Sequence, residues 1–288
     1  MWDTDRYGYG LRIRGLGPVA ELPLADPAAD HPLLCFRYDD STPPPVPKAG
    51  PDEWRCVRSL ADGRLLSLDR RAGTATLHGS LPPPDLLPHP YLTAAATVVN
   101  RWAGRESFHA GSFAADGRVW AVLGVRTAGK SSLLAALAAD GVPVLSDDVL
   151  VTDGRYGYAG PRCLDLREPV PGSDLATVPV RYGARLRVAL PPVPDRLPVG
   201  GWCFLRWGDE PALLPVTATD LIGRLAARRA WPGLPSDPTV LFSLATLPAW
   251  EVVRPRDWRA MPEVLRLLRD ATGRAARAVP AGSASGWR

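Results

Sequence analysis

The chain has 288 residues, 46% of them apolar and 22% charged, which is enough for a substantial core in one large domain or two small ones. No stretch approaches eighteen consecutive apolar residues, and Met1-Trp2-Asp3-Thr4-Asp5 lacks the basic start of a secretory signal, so the expectation is a cytoplasmic protein with no membrane partner. The net charge of +4 is local, because eight arginines face only four acids from Glu251 to Arg288. Those arginines alternate with Met261, Val264, Leu265, Leu267 and Leu268, which predicts an amphipathic helix with a solvated face and not a nucleic-acid surface.

In chain order, residues 9–13, 33–38, 54–60 and 65–69 carry the alternating, aromatic or β-branched residues of short strands. Asp62-Gly63 and Ala72-Gly73 are hairpin tips, and Pro43-Pro44-Pro45 and Pro82-Pro83-Pro84 are connections closed to helix. A helix is predicted over 91–102, with Leu92, Ala95, Val98, Val99 and Trp102 on one face. Residues 108–113 and 118–123 form a hairpin around Asp116-Gly117. A small-residue helix over 130–139 ends at Asp140-Gly141, and a strand over 142–145 stops at Asp147-Asp148. Strands over 185–189, 202–205 and 213–216, helices over 219–230 and 258–271, and a frayed end from Gly273 complete the reading. The resulting divisions are a β-rich region, 1–88, packed on a core, 89–272, with a flexible tail, 273–288. Cys35, Cys56, Cys163 and Cys203 are far apart with no C-x-x-C pair, the pattern of reduced, buried thiols.

Chemistry is concentrated around one residue. The chain has thirty-two arginines and two lysines, Lys48 in a proline-rich stretch and Lys130 in Gly124-Val125-Arg126-Thr127-Ala128-Gly129-Lys130-Ser131. That run fits G-x-x-x-x-G-K-[ST], a loop that wraps nucleotide phosphates. Where arginine has displaced lysine almost everywhere, the lysine that stays marks a need for a slim point charge. A strand leads in and a helix leads out, so free amides and the positive end of the helix dipole face the phosphate oxygens. Gly124, Arg126, Thr127, Ala128, Gly129, Lys130, Ser131 and Ser132 are the candidate nucleotide-binding residues, with Ser131 a candidate Mg²⁺ ligand. Seventeen residues past the lysine, an apolar strand ends in Asp147-Asp148, where one acid can orient the metal and the other accept a proton.

Phe108-His109-Ala110-Gly111-Ser112, Asp116-Gly117-Arg118, the glycine loop and Leu145-Ser146-Asp147-Asp148 together resemble the HPr kinase family, and more closely its relatives encoded with lasso and other ribosomal peptide pathways. The run from Leu244 to Val253 is similar to that family's closing strand. The resemblance implies an α/β fold of the P-loop kinase-like, phosphoenolpyruvate carboxykinase type, with a mixed sheet, helices and a β-rich N-terminal region. It implies ATP and Mg²⁺, with transfer of a phosphoryl group to a serine of a precursor peptide, or a nucleotide-binding partner protein of a peptide-maturation complex. By position, Asp147 would be the base, Asp148 and Ser131 would hold the metal, and His109 would lie near the reacting phosphate. Arg162 or Arg167 would neutralise it, Arg167 being the candidate catalytic residue. A peptide or small protein is the implied acceptor, and the family's habit of forming oligomers leaves a homo-oligomer open. Two features depart from the pattern: Arg126-Thr127 replaces Ser-Gly in the loop, and no R-G-x-G follows the aspartates.

Overall fold

A computed structural model describes residues 4–41, 53–60 and 62–278, with side chains through residue 275; Pro43-Pro44-Pro45, Lys48 and residues 279–288 lie outside them. The N-terminal region forms a six-stranded sheet of β1 (Arg6–Gly8), β2 (Leu11–Arg14), β3 (Leu33–Asp39), β4 (Arg55–Ser59), β5 (Leu65–Asp69) and β6 (Thr74–His78), in the order β1-β2-β3-β6-β5-β4. The two predicted hairpin tips are present: Gly63 and Gly73 take positive φ between antiparallel partners. The strand expected over 9–13 is instead a hairpin turning at Tyr9-Gly10, both at positive φ. Helix α1 (Thr93–Trp102) covers this sheet and buries Ala95, Val98 and, just before it, Leu92.

The second sheet has nine strands and positions the site. It contains β7 (Glu106–Phe108), β8 (Ala110–Ala115), β9 (Arg118–Leu123), β10 (Val144–Ser146), β11 (Leu150–Thr152), β12 (Tyr156–Tyr158), the long β16 (Arg196–Trp207), β17 (Ala212–Pro215) and β18 (Ala249–Arg254). Between them, β13 (Cys163–Leu166), β14 (Thr177–Val180) and β15 (Arg185–Ala189) make a small antiparallel sheet. Strands β9, β16 and β18 run parallel and adjacent, so their C-terminal ends fall at one edge. Loops that follow such ends are where open α/β sheets bind ligands.

Helix α2 (Lys130–Ala139) forms because its Ala and Leu residues have high helix propensity, and it stops at Gly141, φ +79°. It packs on β8 at Gly111, where a Cβ would stand 2.2 Å from Leu134 Cδ1. Helix α5 (Met261–Ala278) lies on the same side, joining Val264, Leu265 and Leu268 to the α2 core, while Arg266 pairs outside with Glu263 and Asp270. It continues past Gly273, where the sequence reading began a frayed tail, because the alanine-rich run 271–278 sustains helix. On the other face, α3 (Ala218–Ala227) and α4 (Pro238–Ala245) bury Leu221, Leu225, Leu241 and Leu244. Residues 228–230, expected in the helix with α3, leave it to pair with the edge of β7. Leu244-Ala245 ends α4 and does not open the closing strand, because Asp237 caps that helix at Thr239 N and Pro238 starts it. The 12-residue β16 and the strands β11–β14 were not apparent as such from local pattern.

Candidate functional site

The loop between β9 and α2 keeps the shape its residues impose. Gly129 has φ +79°, and a Cβ there would sit 1.8 Å from Arg254 Nη2. Thr127, a β-branched residue, is held at φ +71°, a conformation rare for that residue type. Gly129 at the N-cap has no side chain to cap α2, so among the described residues the first amides of the helix, from Lys130 to Ser132, have neither an intrahelical nor a side-chain acceptor. Lys130 is buried and its Nζ donates to Gly124 O at 3.0 Å, folding the ammonium beneath the loop. Burial, with the Arg228 charge adding to it, lowers the Lys130 pKa.

The two aspartates after β10 diverge. Asp147 is buried and accepts from Ser131 Oγ at 3.1 Å. Burial, helped by the neighbouring Asp148 charge, pushes its carboxyl up to about 7. Asp148, at φ +96°, turns outward and is about half exposed. The hairpin predicted over 108–123 is present only from Ala110 onward. His109 is instead a single-residue break between β7 and β8, its amide donating to Arg228 O at 2.9 Å. The break exists because β7 pairs with β11 while β8 pairs with β9 and β10. His109 Nδ1 lies 3.1 Å from Asp148 O, which can only accept, and 3.5 Å from Asp148 Oδ1. The ring proton therefore belongs on Nδ1, and Nε2 keeps its lone pair. Burial and the Lys130 charge hold the His109 pKa below its ordinary value.

A cleft of about 480 Å³ joins these groups. His109, Arg126, Thr127, Gly129, Lys130, Ser131, Ser132, Asp147, Asp148 and Arg167 all line it, so the sequence-selected residues converge. Gly124 and Ala128 stand just outside the lining: Gly124 accepts from Lys130, and Ala128 N closes the loop onto Val125 O at 3.0 Å. Arg162 does not line the cleft; its backbone joins Glu21 and Leu190. Sequence reading missed Arg185 and Trp258, which also line it. Burial, and then the charges of Arg167, Arg181 and Arg126, lower the Arg185 pKa against the opposing pull of Asp165. It also missed Arg254, buried at the end of β18, whose Nη2 donates to Ala128 O and Gly129 O, each at 3.0 Å. Burial lowers that guanidinium to about 10. The available signal was an apolar strand ending in Arg254-Pro255-Arg256.

The donor set fits a phosphate group with a hard cation. Mg²⁺ keeps several waters and takes one or two protein oxygens alongside phosphates. Among the described residues no cluster of three or more His, Cys, Asp or Glu could hold a metal unaided. The Ser131 hydroxyl beside the Asp147-Asp148 pair offers the smaller set such a cation needs, one acid for the cation and the other left free. Also among the described residues, no helix is long and apolar enough to cross a membrane.

No family model matches the chain, and no curated protein matches it. Among solved structures, the HPr(Ser) kinase/phosphatase from Coxiella burnetii is similar over 59% of this chain and 97% of its own, at 14% identity and a TM-score of 0.30.

Proposed function

We propose that this mixed α/β protein is an ATP- and Mg²⁺-dependent phosphotransferase that moves the γ-phosphoryl group to a hydroxyl, a serine of a biosynthetic precursor peptide. The observation that carries the reading is the convergence of Lys130, Ser131 and Asp147 in one cleft, with Ser131 hydrogen-bonded to a buried carboxylate. When bound, MgATP supplies the transferable group and much of the charge neutralisation. The chain's own residues orient and stabilise it. The uncapped α2 amides and Lys130 hold phosphate oxygens, and Ser131 with Asp148 holds the cation side. Asp147, whose carboxyl burial raises to about 7, accepts the serine proton. Arg167 and Arg126 face the transferring group, and His109 presents Nε2 to the same space.

Lys130→Ala should abolish transfer from γ-labelled ATP to a serine-containing peptide while circular dichroism and melting stay those of the parent. Transfer at the parental rate would exclude the assignment. A second reading, a nucleotide-binding partner of a peptide-maturation complex with little turnover, draws on one observation. Thr127 occupies a left-handed position that glycine would fill without strain. ATP binding with no phosphopeptide in mass spectra would favour that reading.

A further inference from the structure

Beside the phosphate cleft lies a second cavity, of about 210 Å³, whose wall comes from the parallel-strand edge. Trp207 ends β16 and Arg254 ends β18, and the two are register partners. The chain then turns through Pro255, Arg256 and Asp257 into Trp258, with Asp257 Oδ1 capping that turn at Arg259 N, 2.9 Å away. Thr127, Ser132 and Trp258 belong to the walls of both cavities, so the two adjoin across the loop's own side chains.

The second cavity offers flat surfaces. The Arg254 and Arg256 guanidinium groups lie 4.3 and 5.1 Å from the centre of the Trp207 ring. Arg256 is exposed and, among the described residues, has no carboxylate partner. Trp258 is half-buried: it packs on the α2–α5 core and also faces these cavities. A purely structural role accounts for Trp207 as the seat of buried Arg254 and, at longer range, of Arg256, but it leaves the exposed charge of Arg256 and the open part of Trp258 free to meet a ligand.

The direction matters as much as the lining. His109, Asp147 and Asp148 line only the phosphate cleft, so a molecule running from the loop into the second cavity leads away from the reacting end. We propose that this cavity takes the nucleobase of the nucleotide whose phosphates lie on the loop, stacked against Trp258 and the Arg256 guanidinium. This rests on the nucleotide-binding reading above. Stacking of a base on an aromatic or guanidinium plane is tolerant of base identity and commonly contributes tenfold or more to affinity.

The test is titration calorimetry on the full chain with Mg²⁺, comparing ATP with inorganic tripolyphosphate. The parent should bind ATP more tightly. Arg256→Gln should weaken ATP by about ten- to hundredfold and leave tripolyphosphate unchanged. Trp258→Ala, which also opens the wall of the first cleft, should weaken ATP at least about tenfold more than tripolyphosphate, and Trp258→Phe should restore most of the loss. Because Arg256 is exposed, its variant tests the site even where Trp258→Ala disturbs packing. Equal affinity of the parent for the two ligands would overturn the proposal, as would loss of both ligands in parallel in Arg256→Gln. A parent that binds neither ligand would instead remove the nucleotide reading on which it stands.

Discussion

Ser131 Oγ donates to Asp147 Oδ1 across 3.1 Å, tying the first turn of α2 to the end of β10. That single contact places a hydroxyl of the glycine loop on a carboxylate that burial has pushed from 3.8 to about 7. A carboxyl with a raised folded pKa binds more protons in the folded than in the unfolded state between those values. Stability therefore falls as pH rises from about 4 to about 7, by no more than about 4 kcal/mol, and is flat above. Asp147→Asn should remove that slope, so that its urea midpoint gains on the parent's as pH rises from 4 to 8. A parental slope that survives in the variant would show that Asp147 is not its source.

His109 responds in the opposite direction. Its folded pKa is depressed by burial and by Lys130, so the folded state prefers the neutral ring and stability is lost as pH falls below the ordinary histidine range. His109→Gln should remove that acid-side loss, so that its melting temperature gains on the parent's as pH falls from 7 to 5, and the same difference should persist with Asp147→Asn in both chains. Histidine NMR titration checks the cause: the His109 ring should titrate at lower pH than a free imidazole.

Two glycines with the same φ separate backbone strain from crowding. Gly129 and Gly141 both sit at +79°, but a Cβ at Gly141 meets nothing within 4 Å, whereas at Gly129 it meets Arg254 Nη2 at 1.8 Å. Gly141→Ala should cost about 1 kcal/mol, the left-handed penalty alone. Gly129→Ala should cost about 1–3 kcal/mol more, since Arg254 must abandon carbonyls that bury its charge. It should also weaken ATP binding, and equal destabilisation by the two substitutions in urea would contradict the packing argument.

The glycine loop and the acid pair were legible because each is contiguous: one helix separates them, and composition set Lys130 apart. Arg254 and Trp207 were not legible, although they touch the same loop. They arrive from strands about 80 and 125 residues further along, and parallel register between distant strands leaves no local periodicity to read. The β1–β2 hairpin was missed because Tyr9 occupies a left-handed position that sequence assigns to glycine or asparagine. His109 was placed by resemblance alone. Its position at a break between strands follows from which partners β7 and β8 choose, a tertiary fact.

The N-terminal sheet is joined to the site region through Arg187, which is 6% exposed and spans both parts. Its guanidinium donates to both oxygens of Asp165, at 2.7 and 3.0 Å, to Glu21 Oε1 at 2.8 Å and to Asp85 O at 2.9 Å. Burial alone would raise the Asp165 pKa, but the Arg187 hydrogen bonds together with nearby positive charges hold it below the ordinary carboxylate value. Asp165 also lines the cleft around Lys130, so the clamp links Glu21 and Asp85 of the N-terminal region to a wall of the site. Arg187→Met leaves the buried Asp165 carboxylate with Arg181 as its remaining close cation and should cost about 3 kcal/mol in urea unfolding. Arg187→Met with Asp165→Leu removes both charges and should recover much of that loss, because the expense lies in the under-compensated acid more than in the absent bond. If the double substitution is as unstable as the single one, the clamp acts through its contacts to Glu21 and Asp85 and not through Asp165. Nucleotide affinity would then report which half of the clamp the cleft depends on.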